Sequence, residues 1–115
     1  MGLLKPPYKY SLILGVLGGI PPTVQNLVAM AQLLPPRSEW EVIGISSDQW
    51  RLVAAAIGLG GNIRVGLEDN FYVSRGVMAA SNGELAEKAA RMVRDQGRDP
   101  ATVEEARARL GLQNR

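Results

Sequence analysis

The chain passes three times from a short apolar run to a segment with helical spacing. That alternation confines it to an α/β fold with a parallel sheet and flanking helices. Residues 11–16 (SLILGV) form a continuous apolar run, which fits a strand buried on both faces. Gly18 and Gly19 break the run, and Pro21 and Pro22 suit the start of a helix, where a missing N–H costs nothing. From Thr23, apolar residues recur at Val24, Leu27, Val28, Ala31 and Leu34, the spacing of one helix face, until Pro35 and Pro36 stop it.

The second unit repeats this plan. Residues 40–45 (WEVIGI) read as a strand, and Ser46 with Gln49 three residues later resembles a capping box. Trp50, Val53, Ala54 and Ile57 mark the next helix face, closed by Gly58 and the Gly60-Gly61 pair. The third strand, residues 63–67 (IRVGL), runs into Glu68-Asp69-Asn70 and then a loop over residues 71–80. Ser81 opens a helix with Glu84 at the capping-box position. Leu85, Ala89, Met92 and Val93 form its apolar face, and Gly97 suits its end. A short helix from Thr102, with Glu105 three residues on, turns Val103, Ala106 and Leu110 inward and ends at Gly111.

Three parallel strands cannot close a barrel, and strands this apolar with bare edges invite further pairing. A (β/α)₈ barrel typically needs about 250 residues, and this chain has 115. The pattern therefore fits either a complete small α/β domain or a piece of a larger one.

Composition narrows the chemistry. A hydrophobic share of 46 % with 21 % charged residues is that of a foldable chain rather than a disordered one. With no cysteine there is no disulfide framework or thiolate zinc site, which is compatible with a reducing cytoplasm. With no histidine there is no self-contained serine–histidine triad. The net charge is only +2, and the arginines share helices with glutamates, which argues against a nucleic-acid partner. The opening residues 1–10 do not form a signal peptide. The longest apolar stretch, residues 12–20, is too short and glycine-rich to span a bilayer, so no membrane partner is expected.

The informative segment is Arg64-Val65-Gly66-Leu67-Glu68-Asp69-Asn70. In α/β folds catalytic groups gather at the carboxyl ends of strands. Were strand geometry to last through Glu68, that residue would share a side with Arg64 and Gly66, and the loop could turn Asp69 back toward them. A carboxylate there can bind a divalent metal, and a carboxylate beside a guanidinium can take a proton from a substrate. A simple ion pair followed by ordinary turn composition gives the same pattern. Gly18 and Gly19, before a proline-led helix, could let a phosphate or thioester oxygen approach backbone N–H groups, though they equally suit a tight turn. Ser46 occupies the corresponding point of the second unit, where N-capping is the plainer role.

RVGLEDN, then SRG and SNGELAEKA, resembles the β-keto acid cleavage enzyme family. GLLKPP, LGVLGGIPPT, the strand before Gln49 and the closing TVEEARARLGL agree, so the likeness runs from about residue 2 to residue 112 in order. The resemblance implies the C-terminal portion of a (β/α)₈ TIM barrel, with all 115 residues one partial domain and the three strands its last three. It implies a zinc-dependent transferase of amino-acid catabolism, typically a homo-oligomer and cytoplasmic. Such an enzyme cleaves a β-keto acid with acetyl-CoA, giving acetoacetate and a new acyl-CoA. On this basis Glu68 is a zinc ligand beside a His-x-His pair, and Arg64 and Asp69 are the dyad that assists deprotonation. Gly18, Gly19 and Ser46 are weaker candidates for substrate or CoA contact.

The chain departs from the family pattern at several points. No histidine is present to supply the His-x-His pair. Leu17 stands where a proline is common, Ser46-Ser47 where a glycine–arginine pair is frequent, and Asn62 where a histidine is frequent. The expectation is a segment inactive in isolation. The alternatives are a non-catalytic α/β interaction module and a partial barrel completed by another chain.

Overall fold

A computed structural model of the chain describes Lys5 and residues 7–112, so most of the GLLKPP motif lies outside the described residues. Strand β1 (Tyr8–Leu14) leads through a loop to helix α1 (Val24–Gln32). Strand β2 (Ser38–Gly44), a single 3₁₀ turn (Ser46–Asp48) and helix α2 (Gln49–Gly58) follow. Then come strand β3 (Asn62–Arg64), a hairpin of β4 (Tyr72–Ser74) and β5 (Val77–Met78), and helices α3 (Asn82–Asp95) and α4 (Val103–Arg109).

β1, β2 and β3 form one parallel sheet in that order, the arrangement the sequence predicts. Tyr8 faces Ser38 and Leu14 faces Gly44 across the first pair, and Ile43 faces Arg64 across the second. Leu12, Leu14 and Val42 point to the helical side and pack with Leu27 of α1 and Leu52 and Ala56 of α2. These residues are almost wholly removed from water, each large side chain contributing about 1.5–3 kcal/mol.

Among the described residues only one face of the sheet is covered, whereas the apolar run at residues 11–16 reads as a strand buried on both faces. Ser11 is exposed and Ile13 is 45 % exposed, while their neighbours Leu12 and Leu14 are buried. Because side chains alternate along a strand, the open face carries Ser11, Ile13, Glu41, Ile43, Asn62 and Arg64. Ile43 alone of these is buried.

The helix caps follow the sequence closely. Thr23 caps α1, its Oγ1 accepting from Asn26 N–H at 3.2 Å. Thr102 and Glu105 form a full capping box on α4. Ser81 Oγ caps α3, but the Glu84 carboxylate reaches one residue further back, to the Ala80 N–H. Gly97 ends α3 in the left-handed region at φ 73°, with its N–H on Arg94 C=O and the Arg98 N–H on Val93 C=O, a Schellman closure.

Five further expectations need correction. The third strand is shorter than residues 63–67, because Asp69 and Asn70 N–H groups both bond Gly66 C=O and curl the chain into a turn. Residues 71–80 are not an open loop but contain the β4–β5 hairpin. Ser46 makes no capping box, since its side chain caps nothing and its backbone is left-handed at φ 62°. The buried face of α2 is Gln49, Leu52, Val53, Ala56 and Ile57, with Trp50 and Ala54 only half-buried. On α4, Val103 and Leu110 stay 72 % and 38 % exposed rather than turning into a core, because the described residues place no apolar layer over that face.

Candidate functional site

Parallel strands send all their carboxyl ends to one edge of the sheet, so the segments after β1, β2 and β3 share an end. Arg64 is the last residue of β3 and projects from the open face. The turn that follows carries both carboxylates back to it. Arg64 Nη2 donates to Glu68 Oε2 at 2.6 Å, and Arg64 Nε lies 3.0 Å from Asp69 Oδ2. A longer contact of 3.5 Å runs from Nη2 to Asp69 Oδ1.

The two carboxylates differ in surroundings. The Glu68 side chain is 82 % exposed at the apex of the turn, whereas that of Asp69 is 8 % exposed. Asp69 Oδ2 is close enough to Arg64 for an ion pair, yet no N–H among the described residues is directed at it, so it has no hydrogen-bond donor. A buried carboxylate oxygen with an unused lone pair is unusual and is found where strain or chemistry requires it. The arrangement can hold a cation or a hydrogen-bond donor of a substrate on Glu68 while presenting a shielded carboxylate oxygen on Asp69.

Hydrogen bonds from two neighbouring elements fix the turn. Ser46 N–H donates to Asp69 C=O at 2.8 Å, and Asn82 Oδ1, at the start of α3, accepts from Leu67 N–H at 2.7 Å. Asn70, 2 % exposed, closes an Asx turn by accepting from Tyr72 N–H at 3.0 Å and donating to Tyr72 C=O at 2.7 Å. The same Nδ2 reaches Gln49 Oε1 at 3.4 Å, and Gln49, fully buried, donates to Gly44 C=O at 3.1 Å. The hairpin beyond is braced in turn. Trp50 Nε1 donates to Tyr72 C=O at 2.8 Å, and Lys88 donates to Val73 C=O while its ammonium lies 3.9 Å from the centre of the Trp50 ring. Burial, with repulsion from Arg91, lowers the pKa of Lys88 below its usual value.

Of the residues singled out in the sequence, Arg64, Glu68 and Asp69 meet in one cluster. Ser46 joins it through its backbone N–H rather than its hydroxyl. Gly18 and Gly19 lie at the same end of the sheet in the β1–α1 loop, where Gly18 is left-handed at φ 79° and Gly19 N–H closes a turn on Val16 C=O. That geometry is the tight turn the spacing also allowed. Gln49 was expected only as a capping-box partner and Trp50 only on a helix face, and Asn70 and Lys88 carried no expected role at the site. A signal for Gln49 was present, since a glutamine heading an apolar stripe at positions 49, 52, 53 and 56 is a polar group destined for burial.

The family resemblance implies zinc, and the donors here do not make a zinc site by themselves. Among the described residues no three histidine, cysteine, aspartate or glutamate side chains converge to hold a metal. The sequence contains no histidine or cysteine, and zinc takes about three or four protein ligands. A cavity of about 520 Å³ lies elsewhere. It opens beside β3 against α3 and the approach to α4, lined by Ile63, Val65, Ala89, Val93, Arg98 and Glu105, and holds none of the acidic cluster. No helix among the described residues is long and apolar enough to cross a membrane.

Comparison with known proteins agrees on one family. The family model of the beta-keto acid cleavage enzymes matches residues 1–112. The 3-keto-5-aminohexanoate cleavage enzyme of Fusobacterium nucleatum subsp. nucleatum is 40 % identical over 111 residues, covering 96 % of this chain and 40 % of the relative. Its namesake from Acetoanaerobium sticklandii is 41 % identical over 111 residues, covering 96 % and 41 %. The 3-dehydrocarnitine:acetyl-CoA trimethylamine transferase of Rhizobium meliloti is 36 % identical over 114 residues, covering 99 % and 38 %. The chain thus spans about two fifths of the length of the curated relatives it matches.

Proposed function

Because the chain belongs to the beta-keto acid cleavage enzyme family, we propose that it supplies part of the active site of an enzyme that cleaves a β-keto acid with acetyl-CoA. In the net reaction the acyl group of the keto acid passes to the CoA thiol, and its carboxymethyl unit joins the acetyl group as acetoacetate. The names of three relatives as acetyl-CoA transferases support that co-substrate. The observation that carries the reading is the convergence of Arg64, Glu68 and Asp69 on the open sheet face.

Asp69 Oδ2, shielded from water beside the Arg64 guanidinium, is the atom that takes a proton from the carbon between the carboxylate and keto groups. Arg64 holds the aspartate in place and neutralises charge beside it. Glu68, exposed at the apex, is one ligand of a zinc ion whose remaining ligands come from outside these 115 residues. The outer edges of β1 and β3, unpaired among the described residues, and the cavity flanking β3 support a sheet that continues, as the C-terminal part of a (β/α)₈ barrel requires. Gly18, Gly19 and Ser46 follow strands at the same end of the sheet, which supports assigning them weaker contacts to the CoA or keto acid. The protein so completed is a cytoplasmic homo-oligomer.

The test grafts these 115 residues onto the Fusobacterium relative in place of its matching stretch. Acetoacetate formation from 3-keto-5-aminohexanoate and acetyl-CoA is then followed, together with zinc content. The graft is expected to turn over. Asp69→Asn should cut kcat by about 10²–10⁴-fold with zinc unchanged, the usual size of a lost general base. Glu68→Gln should release zinc. A folded graft without turnover, or an Asp69→Asn variant as fast as its parent, refutes the reading.

A further inference from the structure

A buried amide links the residue that follows the acidic pair to the second β/α unit. Gln49 is the first residue of α2 and has no exposed surface. Its Nε2 donates to Gly44 C=O, the last carbonyl of β2, and its Oε1 faces Asn70 Nδ2. Asn70 in turn immediately follows Asp69 and is tied at both polar atoms to Tyr72. Gly44 makes the approach possible, since a Cβ there would lie 2.7 Å from Gln49 Cα. The backbone repeats the same link, because Ser46 N–H grips Asp69 C=O from the same unit. A leucine at position 49 would suit the apolar stripe of α2 better than an amide does. The amide nonetheless satisfies one carbonyl of β2 and one amide of the acidic turn, two groups that are buried and costly to strand.

We propose that Gln49 is a positioning residue for the acidic turn, acting through Asn70 to hold the Asp69 carboxylate against Arg64. The inference rests on the reading of Asp69 as the proton acceptor, and it adds a residue that touches neither Asp69 nor any reacting atom. Gln49 and Asn70 lock the turn after β3 onto the turn after β2, so that groups from two β/α units keep one geometry. Displacing a reacting group by even an ångström lowers turnover while leaving remote substrate contacts intact.

Two measurements test it. In the 115-residue chain, native-state hydrogen exchange is followed at the amides of Ser46, Asn70 and Tyr72, which report the turn, and of Ile43, which reports the sheet. Gln49→Met should speed exchange at the turn amides by about tenfold or more beyond any change at Ile43, the effect of stranding buried polar groups locally. Leu52→Ala, equally buried on the same helix but outside the link, should move both sets together. Should Gln49→Met not fold, Gln49→Asn withdraws the amide by one methylene and is read in the same way. Turn and sheet amides changing in parallel in the glutamine variant overturn the proposal. In the grafted enzyme, Gln49→Met should lower kcat by about tenfold or more with KM and zinc content unchanged. A loss confined to KM, or no loss, also overturns it. Absence of turnover in the unsubstituted graft counts against the proposed function alone, since the exchange measurement stands without activity.

Discussion

Gly44→Ala probes the closest approach in the molecule between the end of β2 and the start of α2. A Cβ at position 44 would meet Gln49 Cα at 2.7 Å, Leu52 Cδ1 at 3.1 Å and Gln49 N at 3.3 Å. Ordinary contact begins at 3.4 Å, so the nearest atom must retreat by about 0.7 Å, and it belongs to helix backbone rather than to a flexible side-chain tip. Overpacking of this kind costs about 1–3 kcal/mol. The retreat also stretches the bond from Gln49 Nε2 to Gly44 C=O, worth about 0.5–1.5 kcal/mol. Against these, alanine restricts the unfolded chain and returns about 0.4–1 kcal/mol. The net loss is about 0.5–4 kcal/mol, centred at about 2, which for a domain of this size lowers Tm by roughly 10 °C at the centre of the range. Thermal unfolding followed by far-ultraviolet circular dichroism measures it. Gly58→Ala is the control, because its Cβ would meet only Gln96 Oε1 at 3.8 Å, and helix propensity should then raise stability by about 0.5–1 kcal/mol. A Gly44→Ala protein as stable as wild type would show that the β2–α2 contact yields freely and would remove the steric basis for the buried link through Gln49.

Ser46→Gly should stabilise the chain by up to about 1 kcal/mol in urea unfolding. The variant relieves a left-handed serine at φ 62°, and glycine's extra unfolded-state freedom takes back part of the gain. A lower midpoint would mean that the serine hydroxyl matters more than the backbone conformation. For Lys88→Met the informative variable is pH. Burial, then repulsion from Arg91, depresses the folded-state pKa of Lys88 below its ordinary 10.5, so the charged form is penalised in the folded chain. That penalty is fully present below the lowered value and is relieved as pH rises through it toward 10.5. The stability of wild type relative to Lys88→Met should therefore climb with pH in the window ending near 10.5, and a flat difference would contradict the burial of the ammonium.

The order of strands and helices was legible in the residues because each depends on neighbours three or four positions away. Apolar runs, proline stops and the caps at Ser81 and Thr102 act within a turn or two of chain, although α1 begins after a Thr23 cap rather than at Pro21 and Pro22. Arg64, Glu68 and Asp69 could be picked out for the same reason, since six consecutive residues contain the whole cluster. What the residues alone did not decide depends on contacts between distant segments. The third strand stops early because its carbonyl at Gly66 is claimed by the turn, and Ser46 abandons its capping position because its N–H is claimed by Asp69 across the sheet end. Burial of Gln49, the partner of Asn70 and the contrast between an exposed Glu68 and a shielded Asp69 arise only when the turns after β2 and β3 are packed together. Local periodicity writes the elements, but hydrogen bonds between segments some twenty residues apart set the geometry of the cluster, and no short-range pattern encodes which donor will reach which carbonyl.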